Sequence, residues 1–120
     1  MKKIFGIIFL LNLMCVQSFA YMGSSFDTPI SVCASHILVP EEMQAEKLKL
    51  EIKSFEDFQQ LAKIYSQCPS GQKGGYLGCF RKGQMVKEFE KAAFNAEVGE
   101  VVGPVKTDFG YHLIWVSRKY

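Results

Sequence analysis

The chain has 120 residues, 14 of them basic and 12 acidic, for a net charge of +2. Lys2 and Lys3 account for that excess, so the remainder is close to neutral. A basic nucleic-acid footprint is missing, and nothing in the charge balance draws the chain to an anionic membrane surface.

Residues 1–20 read as an address rather than as part of a fold. Lys2 and Lys3 give a positive start, an apolar run extends from Ile4 to Val16, and Ser18 and Ala20 supply small residues for cleavage after Ala20. The run of about 13 residues falls short of the roughly 18–20 needed to span a bilayer. Lipidation at Cys15 is the alternative, but Met14 stands where a small residue is expected. Export, to a periplasmic or other extracytoplasmic location, is the expectation. Residues 21–31 then form a polar lead-in containing Gly23, Ser24 and Ser25, and residues 32–120 form one domain. A domain of that size buries enough surface to fold without staples. Cleavage leaves Cys33, Cys68 and Cys79, an odd number. Cys68 and Cys79 could pair under oxidising conditions.

The first element is a strand from Val32 to Val39. Val32, Ala34, His36 and Leu38 fall on one face, and Cys33, Ser35, Ile37 and Val39 on the other. Both faces are largely apolar, as in a central strand covered on both sides. Pro40 suits the first turn of a helix, Glu41 and Glu42 suit its positive end, and Ala45, Leu48 and Ile52 form its inward stripe. Ser54 with Asp57 marks a second helix start, followed by an apolar face of Phe55, Phe58, Leu61, Ala62 and Tyr65. Pro69, Ser70 and Gly71, then Gly74 and Gly75, break the pattern into a loop. A short strand follows from Tyr76 to Phe80, then a helix from about Met85 to Asn95. Gly99 and the Gly103–Pro104 pair mark turns. Val105–Thr107 and Tyr111–Arg118 read as hairpin arms around Asp108, Phe109 and Gly110. The order is strand, two or three helices, strand, helix, strand, strand, which is an α+β sheet with helices packed around it.

Three blocks carry a resemblance. They are Ser35–Val39 (Ser-His-Ile-Leu-Val), the Gly74–Val86 stretch from Gly-Gly-Tyr-Leu-Gly to Lys-Gly-Gln-Met-Val, and the Gly103–Val116 stretch containing Thr-Asp-Phe-Gly-Tyr-His. In that order and spacing they resemble the parvulin family of peptidyl-prolyl cis/trans isomerases over about Ala34 to Ser117. The resemblance implies a four-stranded, mostly antiparallel sheet surrounded by helices. It also implies an enzyme that speeds Xaa-Pro isomerisation in exported, folding polypeptides. No cofactor and no metal are implied, because the reaction breaks no bond. What must be lost is amide conjugation, a barrier of about 18–20 kcal/mol, and differential binding of the twisted state suffices to lower it.

The resemblance also assigns roles. Leu77, Met85, Phe89 and Phe109 would form the apolar wall for the proline ring. From spacing alone, Met85 and Phe89 read as core one helical turn apart; the flanking Gly83 and Gln84 reverse that preference. His36, Cys68, Thr107 and His112 would form the catalytic set. The histidines either tune the site through a hydrogen-bonded network or transfer protons directly, with tuning the favoured role. Cys68 stands where the family carries Cys or Asp, so it would set the local electrostatics rather than attack covalently.

Other motifs are set aside. Asp108-Phe109-Gly110 lacks the nucleotide loop that would make it a kinase element. Cys33, His36, Cys68 and Cys79 lack the paired spacing of a zinc site. The segment after the first strand, Val39 to Gln44, is short and acidic, so a preference for phosphorylated Ser or Thr before proline is not expected. The expected partners are proline-containing unfolded chains bound by a monomer. The rival function is a non-catalytic holdase using the same groove.

Overall fold

The computed structural model describes residues 28–120, so the cleavage signal and Cys15 lie outside the described residues. Strand β1 (Ser31–Val39) is followed by helices α1 (Glu42–Glu51) and α2 (Phe55–Tyr65) and a 3-10 turn at Pro69–Lys73. Strand β2 (Tyr76–Arg81), helix α3 (Lys87–Asn95) and strands β3 (Val101–Thr107) and β4 (Gly110–Lys119) complete the domain. The sheet order is β2-β1-β4-β3 with every neighbouring pair antiparallel. The expected class, a four-stranded antiparallel sheet with helices around it, is the one observed.

Alternation along the two central strands builds two cores. Val32 and Ala34 of β1, with Ile114 and Val116 of β4, pack beneath α3 against Phe80, Phe89, Ala93 and Phe94. Ile37 and Val39, with Leu113, pack on the opposite face against Ala45, Leu48 and Ile52 of the α1 region and Phe58 and Ala62 of α2. The even-numbered residues of both strands therefore face α3, and His36 and His112 belong to that set. The β1–β4 register places His36 opposite Ile114 and Leu38 opposite His112, which makes the two histidines diagonal neighbours on one face.

Several boundaries differ from the sequence reading. Helix α1 starts at Glu42 with Glu41 as its cap, so Pro40 belongs to the link after β1. The helix expected from Met85 starts at Lys87 with Val86 as its cap, so Met85 lies before the helix and not one turn from Phe89 within it. Gly103 and Pro104 are inside β3, joined by a cis peptide, and the ladder shifts register between Val102 and Val105. A turn reading at Gly-Pro was natural but wrong: the strand absorbs the pair as a bulge. The cysteine pairing also differs. Cys33 is bonded to Cys79, its direct partner across β1 and β2, and Cys68 is free.

Ser54 caps α2 as expected, accepting from the Asp57 amide at 3.1 Å. Phe58 is fully buried beneath that helix, with Trp115 5.9 Å away and Phe55 6.4 Å away between ring centroids. Phe58→Ala should cost about 3–5 kcal/mol, and Ser54→Ala about 1 kcal/mol. Urea denaturation of the two variants checks the ranking; equal costs would contradict it.

Candidate active site

Two glycines permit the close packing around the histidines. Gly75, at φ +88°, lies against the backbone carbonyl of His36, and its own carbonyl accepts from the His36 amide at 2.9 Å. Gly103, at φ +122°, sits where an added Cβ would come within 2.5 Å of the His112 carbonyl oxygen. Neither position has room for a side chain, and neither φ suits one.

The side chains of His36 and His112 meet through their Nδ1 atoms at 3.0 Å, with ring planes 18° apart. His112 Nε2 lies 2.7 Å from Thr107 Oγ1, and Thr107 Oγ1 accepts from the Phe109 amide at 3.2 Å. At the other end, His36 Nε2 lies 3.2 Å from Ser70 Oγ. The row is satisfied when Thr107 donates to His112, His112 Nδ1–H to His36, and His36 Nε2–H to Ser70. It is equally satisfied when every proton shifts to the other end of its link. Each neutral imidazole thus has one donor and one acceptor in use. The row ties β1, the 3-10 turn, β3 and β4 together.

Phe89 encloses this pair. Its ring stands edge-on to both imidazoles, 5.6 Å from His36 and 5.4 Å from His112. The histidines are 5% and 4% exposed. Burial pushes the His36 pKa down to about 4, with the adjacent His112 a second cause. Burial lowers His112 as well. Both rings are therefore neutral near pH 7.

In front of the pair is a cavity of about 420 Å³ lined by His36, Cys68, Leu77, Met85, Phe89, Phe109 and His112. Seven of the eight residues singled out from sequence thus meet around one pocket. The eighth, Thr107, is buried behind it and acts on His112. Leu38, Gln67, Pro69 and Val86 also line the cavity and were not singled out. Leu38 was within reach of the sequence, since it shares the His36 face of β1. Ser70 was not, because its contact depends on how the 3-10 turn folds back over β1. Cys68 is half-buried at the N-terminal cap of that turn. The lining is almost wholly apolar, with Phe109 at the rim 68% exposed.

The lowered histidine pKa has a signed consequence. An unfolded histidine takes up its proton near pH 6.5, whereas folded His36 resists until about 4. The unfolded state binds more protons in that window, so stability is full above 6.5 and falls as the pH drops towards 4. For His36 the loss amounts to about 3 kcal/mol. NMR titration of the ring protons should show His36 neutral at pH 6 and changing near 4; a midpoint near 6.5 would contradict the burial argument.

Comparison with known proteins agrees with this geometry. Residues 39–118 match the family model described as Rotamase, PPIC-type PPIASE domain. The chain is 56% identical over 87 residues to foldase protein PrsA of Geobacillus kaustophilus, covering 72% of this chain and 31% of that protein. It therefore spans about a third of the length of that curated relative. It is similar to the solution structure of NmPin, the parvulin of Nitrosopumilus maritimus, with a TM-score of 0.66 and 46% identity over 72% of this chain and 95% of that one. A Campylobacter jejuni structure from work on PEB4 and the periplasmic protein Cj1289, described as SurA-like chaperones, gives a TM-score of 0.73. Its identity is 36%, over 88% of this chain and 46% of that one. The chain belongs to the PPIC-type peptidyl-prolyl cis/trans isomerases, the parvulin family.

Proposed function

We propose that this chain accelerates cis/trans isomerisation of Xaa-Pro bonds in exported, unfolded or flexible polypeptides, without covalent chemistry. The observation that carries the reading is the apolar pocket with a buried, fully hydrogen-bonded and neutral histidine pair as its polar wall. Leu77, Met85, Phe89 and Phe109 hold the proline ring. A dry site removes water from the amide, and water hydrogen-bonded to its carbonyl favours the planar, conjugated form. His36 and His112 keep the neighbouring polar surface neutral, and Thr107 fixes the orientation of His112. Cys68 presents a weak polar group beside the reacting amide. Twisting shifts charge between carbonyl and nitrogen, and a fixed environment matched to the twisted state lowers the barrier by differential binding.

The proposed location is extracytoplasmic. It rests on the export signal read in residues 1–20 and on the likeness to the Campylobacter jejuni structure from work on PEB4 and the periplasmic protein Cj1289. No helix among the described residues is long and apolar enough to cross a membrane. A monomer acting on passing chains is the simplest form consistent with a pocket built from one chain.

The connection between β1 and α1 is only Pro40 and Glu41. That link carries a carboxylate and no basic residue, so it offers a phosphate no charge partner, and the proposed substrates are unphosphorylated.

The direct test is cis/trans exchange by NMR on unphosphorylated Xaa-Pro peptides. Acceleration supports the reading; binding without acceleration would make the chain a holdase. Met85→Ala should lower kcat/KM by about tenfold or more, the effect of about 1–3 kcal/mol of lost apolar contact. Cys68→Ala should reduce turnover more than peptide affinity. In competition, a phosphoserine-proline peptide should be turned over no better than its serine counterpart; a clear preference for the phosphorylated form would overturn the specificity assignment.

A further inference from the structure

The Cys33–Cys79 disulfide lies outside both the pocket lining and the histidine row, yet it ties β1, which carries His36, to β2, which carries Leu77. It joins the central strand β1 to β2, which among the described residues is an edge strand paired only with β1. Its two cysteines differ in surroundings: Cys33 is 3% exposed, whereas Cys79 is an exposed residue. A thiolate arriving from solvent therefore meets Cys79.

On the pocket side of this bond the β1–β2 pairing is interrupted before it resumes at Tyr76 and at Gly75, whose carbonyl accepts from the His36 amide. The β1–β2 ladder shifts register between Ala34 and Ser35, immediately beyond the disulfide. Gly78, opposite Ala34, adds no side chain to the packing, and a Cβ there would touch nothing within 4 Å. The next residue is Leu77, which lines the pocket. On the other side of the disulfide, Phe80 is buried with its ring 5.9 Å from Phe89, the ring that encloses both histidines.

We propose that the Cys33–Cys79 disulfide is a thiol-exchange site, opened by a dithiol at Cys79, whose redox state sets how firmly β2 holds Leu77 against a bound proline ring. This rests on the pocket being the peptide site. One thiolate of the dithiol attacks Cys79 Sγ, and Cys33 leaves as a thiolate that takes up a proton. The second thiolate of the reductant then attacks its own sulfur in the mixed disulfide and releases Cys79 as a thiol. The dithiol ends as a disulfide and the chain gains two thiols, so two electrons and two protons are transferred. Cys68 has no part in the exchange; it is a free thiol before and after. With the bond open, buried Phe80 still anchors β2 in the α3-side core, so the domain stays folded while Leu77, only partly buried against that same core, loosens.

The test uses the full chain before and after dithiothreitol, with a Cys33→Ala/Cys79→Ala double variant as control. The readouts are far-UV circular dichroism, amide exchange at Tyr76–Arg81, and peptide affinity by NMR titration. None of these requires turnover, so failure of the isomerase reading and failure of this one are separable. The expected result is an unchanged dichroism spectrum, faster exchange confined to β2, and peptide affinity weakened several-fold. Reoxidation should restore the starting values, and the folded double variant should match the reduced chain with or without dithiothreitol. Unchanged exchange and affinity on reduction would overturn the proposal. So would loss of the whole dichroism signal, because the disulfide would then be a general staple. Should the double variant fail to fold, the reduction and reoxidation of the native chain decide alone.

Discussion

Two neutral imidazoles buried side by side hold one proton between their facing nitrogens, and each needs a partner for its other nitrogen. The 3.0 Å contact between His36 and His112 is therefore a demand on everything around it. It fixes the β1–β4 register, because a slip of one residue would send one ring to the opposite face. It requires Thr107 at one end and Ser70 at the other, since a buried polar atom left unmatched costs about 1–3 kcal/mol. It also requires Gly75 and Gly103, whose missing side chains let neighbouring backbone reach the histidine carbonyls. Phe89 then covers the pair and turns its other flank to the pocket.

The same constraint bears on the proposed reaction, which needs no nucleophile. A charged histidine at this wall would attract water into the cavity and favour the conjugated amide. Burial keeps the rings neutral, and the apolar lining offers few groups that would hold water beside a bound amide. Phe89 belongs to the α3-side core and lines the pocket at once. Ser35 is a contrasting case: its hydroxyl is fully buried on the opposite face with no hydrogen-bond partner among the described residues.

Much of this was legible in the sequence because it depended on period-two alternation. The faces of β1 followed directly from Val32 to Val39, and the placement of both histidines on strands followed from the same pattern. The Ser54 cap was legible because its chemistry is local. What escaped was set by contacts distant in sequence. Gly103 and Pro104 signal a turn, but pairing with β4 keeps them in a strand. Met85 fits helical spacing, but Val86 caps α3 and leaves Met85 outside it. The Cys33–Cys79 pairing depends on β1–β2 register, which composition does not encode, and Ser70 reaches His36 through a turn that spacing did not resolve. The pocket residues themselves were reached through resemblance and spacing together; alternation alone would have supplied His36, Leu38 and His112 without a purpose.

The central claim is that the histidines act as a neutral, structural wall and exchange no proton with the substrate. Its most direct test is the pH dependence of kcat/KM for an unphosphorylated Xaa-Pro peptide with no titrating side chain, measured from pH 5 to 8. A neutral pair predicts no step centred at the ordinary histidine value of about 6.5, because burial holds His36 near 4 and lowers His112 as well. A fall in rate centred near pH 6.5 would show an ordinary, solvent-accessible histidine at work and would contradict the account.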